Sequence, residues 1–179
     1  MQSDFSFRAM SLEFRLRDFF RPPERILREA GMRNGMTVLD FGCGPGGFSL
    51  AAAKLVGPEG RVYAVDNHPL AVKSAQRVAS KQGFSNIRTI LGGSGADFPG
   101  GNVDIILLYD VLHDLPEPGL LLVELHRALK PRGVLSVSDH HMKKEPLLSM
   151  ITGGGLFLLA GSNRRTFQFK KNETSEVVS

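Results

Sequence analysis

Cysteine and tryptophan are nearly absent: the 179 residues hold a single cysteine, Cys43, and no tryptophan. A lone thiol builds neither an intrachain disulfide nor a zinc site of several cysteines. No apolar run approaches the roughly 18 residues that a membrane-spanning helix needs. The Arg- and Phe-rich N-terminus lacks a signal-peptide pattern. The expected location is the reducing cytoplasm. Charge of one sign is also scarce in excess, with 22 Lys and Arg against 18 Asp and Glu and a net charge of +4. The basic residues are spread along the chain, which disfavours nucleic acid as a partner. The short clusters Lys143-Lys144, Arg164-Arg165 and Lys170-Lys171 read as solvated surface.

What remains is ordinary globular material. At 42% hydrophobic residues, a chain of this length is expected to form one domain over residues 1–179 with its own core. Short apolar runs at Thr37 to Phe41, Arg61 to Val65, Ile87 to Leu91, Val103 to Leu108 and Val134 to Val137 are bounded by turn formers and predict strands. Between them, Gly47 to Val56, Pro69 to Gln82 and Pro118 to Leu129 carry helical spacing, the last closed by Lys130-Pro131-Arg132-Gly133. A further helix is expected from Glu24 to Ala30, ending at Gly31. Runs apolar on both faces, such as Ile105-Ile106-Leu107-Leu108, belong in a parallel sheet covered on each side. The predicted class is therefore α/β, a doubly wound, Rossmann-like sheet.

The two ends break this rhythm. Met10 to Phe20 alternates charged residues with Phe and Leu and predicts an amphipathic helix stopped by Pro22 and Pro23. Residues 1–23 are expected to serve as a lid, a homodimer contact or a plain packing helix. Leu156 to Ala160 and Thr166 to Lys170 predict a hairpin at the sheet edge, and residues 172–179 a frayed tail.

The most informative stretch is Val38-Leu39-Asp40-Phe41-Gly42-Cys43-Gly44-Pro45-Gly46-Gly47-Phe48, a strand entering a glycine-rich turn that opens a helix. Glycines allow positive φ and remove the Cβ that would hold a ligand away, and a helix start offers unpaired amides. Gly42, Gly44 and Gly47 alone also satisfy a dinucleotide fingerprint. Asp40 decides between the two: a carboxylate beside the turn repels pyrophosphate and attracts a cation. S-adenosylmethionine, with a sulfonium and an ammonium and no phosphate, matches that charge. Asp66, closing the second strand, is placed to accept hydrogen bonds from ribose hydroxyls. Cys43 reads as a small loop residue.

From Glu24 to Lys171 the chain resembles the class I S-adenosylmethionine-dependent methyltransferases. Asp40, Gly42, Gly44 and Gly46 are similar to that family's first motif, with Phe41, Cys43 and Phe48 in the same stretch. Asp66, Asn67 and His68 are similar to its ribose-binding second motif. The resemblance implies S-adenosylmethionine as cofactor, S-adenosylhomocysteine as product and a seven-stranded sheet with an antiparallel strand beside the fifth, which the tail hairpin supplies. It also puts Ser94, after Gly93, where an adenine-binding Asp is common. Ser94 can accept from the adenine amino group and the Gly95 amide can donate to the ring, or Asp97 takes over the role.

Methyl transfer is a direct displacement, so an enzyme chiefly aligns the acceptor and removes its proton. The acceptor should meet residues after the fourth and fifth strands. There His113 is the first candidate for base or acceptor-orienting group, against a plain capping role, and Asp110 and Tyr109 are expected to line the methionine end or acceptor pocket. Asp139, His140 and His141 have metal-ligand chemistry, yet adjacent histidines in an extended segment point to opposite sides, so no metal is expected. The fourth strand is not followed by the Asn/Asp-Pro-Pro-Tyr/Phe motif of base-methylating enzymes, and one cysteine disfavours arsenic methylation. The Val111-Leu112-His113 loop resembles that of arsenic and quinone-ring methyltransferases. A small-molecule acceptor is the expectation. The rivals are a non-catalytic S-adenosylmethionine-binding module, or subunit of a larger methyltransferase, and a nicotinamide-dependent oxidoreductase.

Overall fold

The computed structural model describes residues 23–93, 100–163 and 166–173. The N-terminal segment expected as lid or dimer helix lies outside them up to residue 22, as do Ser94, Gly95, Asp97, Arg164, Arg165 and the tail from residue 174. The chain divides into two compact units, Met1–Gly93 and Ser94–Ser179.

In the first unit, α1 (Pro23–Glu29), β1 (Thr37–Phe41), α2 (Gly47–Val56), β2 (Arg61–Asp66), α3 (Pro69–Lys81) and β3 (Ile87–Leu91) follow one another. β1 pairs with β2 and β2 with β3, both in parallel, with Asp40 opposite Ala64 and Asp66 opposite Leu91. The parallel crossovers demand helices between strands, and α3 meets that demand with a stripe of buried alanines, Ala71, Ala75 and Ala79, at four-residue spacing. Small side chains let this helix approach closely. Ala75, Cys43 and Ala64 form one buried cluster with Ile87 against it. The side chain of Asn86 donates to the carbonyls of Ala53 (3.0 Å) and Gly57 (2.8 Å), which closes the C-terminal end of α2.

The second unit contains β4 (Val103–Tyr109), a 3₁₀ turn (Leu112–Asp114), α4 (Pro118–Ala128), β5 (Leu129–Ser138), α5 (Lys144–Thr152), β6 (Phe157–Ser162) and β7 (Phe167–Lys171). β4 and β5 are parallel, whereas β7 pairs antiparallel with both β5 and β6. The expected class is observed: α/β, seven strands, parallel pairing throughout except at the C-terminal strands. Every residue of β4 but Asp104 is buried, as its unbroken apolar run requires.

Four details differ from expectation. β5 starts at Leu129 and so includes Pro131 and Gly133, which were expected only to close the preceding helix. Leu129 pairs with Val103 and Val134 with Ile105, so residues 130–133 bulge opposite the single residue Asp104 of β4. An exposed bulge tolerates a proline that a regular ladder would reject. Second, α5 was not anticipated, because a helix of nine residues shows its buried side only at Leu147 and Ile151. Third, Asn172, expected to fray, donates from its backbone to Leu156 (2.8 Å) and from its side chain to Gly155 (2.8 Å). Lys171, read as solvated surface, places Nζ 3.1 Å from the Leu129 carbonyl oxygen, and burial pulls its pKa down.

Candidate functional site

The glycine loop of the first unit is held by its own strand neighbours. Gly42 and Cys43 both donate their N–H to the Val65 carbonyl, at 2.8 and 2.9 Å. Gly42, Gly44 and Gly46 have φ of 75°, 52° and 94°, conformations that cost a residue with a Cβ. Gly46 has a second reason to be glycine, since a Cβ there would sit 3.0 Å from both Cα and Cβ of Ala75. Helix packing therefore adds to whatever closeness to a ligand asks of this position. The side chains of Phe41 and Cys43 are buried in the core, so at these two candidate positions only the backbone can face a ligand. Burial and the charges of Asp40 and Asp66 push the Cys43 thiol far up its titration range, which removes it as a nucleophile.

Asp66 is tied into that loop. One of its oxygens accepts the Gly44 N–H at 2.9 Å and the other the His68 N–H at 2.8 Å. Each oxygen keeps a lone pair, and the residue is half-buried, so two neighbouring hydroxyls can still be bound. The Gly44 amide, which a pyrophosphate-binding loop would offer to phosphate, is already given to a carboxylate. Asp40 is buried, 3% exposed, and accepts a hydrogen bond from the Ser49 hydroxyl at 2.5 Å. Burial, with a smaller contribution from the charge of Asp66, raises its pKa to about 7 against the hydrogen bond from Ser49. Two acids therefore flank the loop and no base balances them among these contacts. A cationic nucleoside fits this pair of acceptors and an anionic dinucleotide does not. His68 caps α3 by accepting the Leu70 N–H on Nδ1 at 3.2 Å, which puts the ring hydrogen of a neutral imidazole on Nε2. Asn67 and Gly93 are exposed, Phe48 half-buried.

In the second unit, Tyr109 and Ser138 stand opposite each other at the ends of the parallel strands β4 and β5, so the residues that follow each strand meet. Asp110 takes a left-handed φ of 55°, unusual for a residue other than glycine. Its oxygen Oδ1 accepts from His140 twice, from the backbone N–H at 3.0 Å and from the ring Nδ1 at 2.6 Å. Asp139 repeats the pattern with His113: Oδ2 accepts the backbone N–H at 3.1 Å and Nδ1 at 2.9 Å, while Oδ1 accepts the His141 N–H at 3.1 Å. The His141 ring lies 4.3 Å from that of His113 and 3.8 Å from that of His140. Adjacent histidines were expected to point apart. They do not, because both lie beyond the end of β5, where two-residue alternation no longer applies. Among the described residues no group of His, Cys, Asp or Glu is arranged to hold a metal. Tyr109 is buried and its hydroxyl pairs with the Ser136 hydroxyl at 2.8 Å, so a sheet contact occupies the group expected to line a pocket.

Asp139 as the partner of His113 escaped sequence reasoning. Twenty-six residues separate the two, and no spacing rule joins them; the signal available was the shared end of two parallel strands. Ser94 and Gly95, together with the alternative Asp97, lie outside the described residues.

Comparison with known proteins gives a consistent set of relatives. A family model for a methyltransferase domain matches residues 32–164. The demethylmenaquinone methyltransferase of Geobacillus stearothermophilus is 30% identical over 110 residues, 61% of this chain and 47% of that protein. The nocamycin O-methyltransferase of Saccharothrix syringae is 32% identical over 124 residues, 68% of this chain and 44% of that protein. The chain thus spans about half the length of the curated relatives it matches. Among solved structures, a SAM-dependent methyltransferase from Aquifex aeolicus superimposes with a TM-score of 0.74 at 28% identity, covering 84% of this chain and 88% of that one.

Proposed function

The chain belongs to the methyltransferase-domain family, and from that premise we propose that it binds S-adenosylmethionine at the glycine loop and Asp66 and transfers the methyl group to a small-molecule acceptor. The observation that carries the reading is the Asp66 carboxylate accepting the Gly44 N–H at 2.9 Å. It places an acid where a dinucleotide would need a donor, and it presents free lone pairs to a ribose. S-adenosylmethionine supplies a methyl carbon bonded to a sulfonium, a leaving group that departs as the neutral thioether of S-adenosylhomocysteine. The chain's part is to hold the nucleoside, orient the acceptor and take its proton. Asp66 holds the ribose hydroxyls and Asp40 complements the ammonium when ionised. His113 is the base, and Asp110 orients His140, whose ring packs on that of His141. The relatives named as demethylmenaquinone methyltransferase and nocamycin O-methyltransferase support an acceptor of small-molecule size.

Calorimetric titration with S-adenosylhomocysteine, and with NAD as the matched control, tests this. Binding of the former alone is expected. Asp66→Ala should weaken it on the order of 10- to 100-fold, as removal of charged hydrogen bonds does. Binding of NAD alone, or equal affinity in wild type and variant, would contradict the assignment.

A further inference from the structure

Resting on the methyltransferase reading, we propose that Asp139 is a positioning residue that holds His113 as the Nδ1–H tautomer, so that Nε2 is the atom that takes the acceptor's proton. The Asp139 side chain is fully buried, whereas that of His113 is 25% exposed. The carboxylate is therefore anchored while the ring it grips reaches the surface. A carboxylate that only capped the loop would need backbone N–H groups alone. Asp139 accepts two of these, from His113 and His141, and a third bond from the His113 ring at 2.9 Å.

An ionised carboxylate only accepts, so the ring nitrogen facing it carries the hydrogen and the lone pair is on Nε2. The His141 ring, 4.3 Å away at 43°, packs on the same imidazole and limits its rotation. Nε2 also has a carboxylate near it: Asp114 Oδ2 lies 3.5 Å off. Once Nε2 is protonated, the ring has an acid at each nitrogen, Asp139 at Nδ1 and Asp114 at Nε2. In the step this serves, His113 Nε2 takes the proton of an acceptor hydroxyl while the oxygen pair forms the bond to the methyl carbon. The methyl–sulfur bond breaks with its electrons left on sulfur, and the proton remains on His113 for release to solvent. His140 is gripped by Asp110 in the same double fashion and serves as an internal reference.

The tautomer is measurable without knowing the acceptor. In the full chain labelled with ¹⁵N-histidine, two-bond proton–nitrogen correlation spectra above the imidazole titration range identify the protonated nitrogen, with His113 assigned through His113→Gln. His113 and His140 are both expected as Nδ1–H. In Asp139→Ala, His113 alone should revert to the Nε2–H form that an unconstrained imidazole prefers, with S-adenosylhomocysteine affinity changed less than about twofold. Wild-type His113 found as Nε2–H overturns the proposal whether or not the variant folds, as does a variant in which Nδ1–H persists. Absence of S-adenosylhomocysteine binding would strike the methyltransferase reading instead and leave the tautomer result standing.

Discussion

Asp40 shows how far a single residue's environment departs from its letter in the sequence. As a carboxylate beside a glycine turn it reads as a permanent anion, yet burial raises its pKa from 3.8 to about 7. Between those values the folded chain keeps a proton that the unfolded chain has released. Raising the pH across that window therefore favours unfolding, by roughly 4 kcal/mol at most, and the effect levels off above it. Asp40→Asn lacks this titration, so its stability relative to wild type should increase between about pH 5 and about pH 8. Urea unfolding at the two pH values checks this, and parallel profiles for the two proteins would refute it. Asp66 contrasts with Asp40: it is half-buried and meets two backbone amides, the arrangement expected of a carboxylate that stays available to a ligand. Both acids were legible as candidate site residues; the raised pKa of Asp40 was not, since it depends on what surrounds it.

At the scale of elements, the glycine loop works because helix, turn and strand agree. Gly46 precedes α2 as its N-cap in the left-handed region and abuts Ala75 of α3. Gly46→Ala introduces both a strained φ and a close contact, and should lower stability by about 1–2 kcal/mol. Asn86→Ala, which frees the carbonyls of Ala53 and Gly57 at the other end of α2, should cost about 1–3 kcal/mol. Denaturant midpoints of the two variants check both values, and unchanged midpoints would show that α2 is not pinned at these ends. Strands and long helices were readable because their apolar periodicity extends over many residues. α5 and the bulge of β5 were not. α5 buries two residues four apart, and the bulge exists only because Leu129 and Val134 pair with nearly adjacent positions of β4.

For the molecule as a whole, ligand binding and folding are linked, because a nucleoside that binds only the folded chain stabilises it by mass action. S-adenosylhomocysteine at about 100 times its dissociation constant should add about 2.7 kcal/mol, seen as a raised Tm, and NAD at the same concentration should add nothing. An equal rise with both would point to a less selective loop. The sequence by itself determined the α/β class, the antiparallel C-terminal pairing and the acids Asp40 and Asp66 of the glycine loop, because each is written in local periodicity or in a run of adjacent residues. Tertiary structure alone decided that Asp139 grips His113, that His140 and His141 turn to the same side, and that Asp40 titrates near neutrality. These properties depend on groups distant in sequence, joined by the register of parallel strands and by the burial that packing imposes.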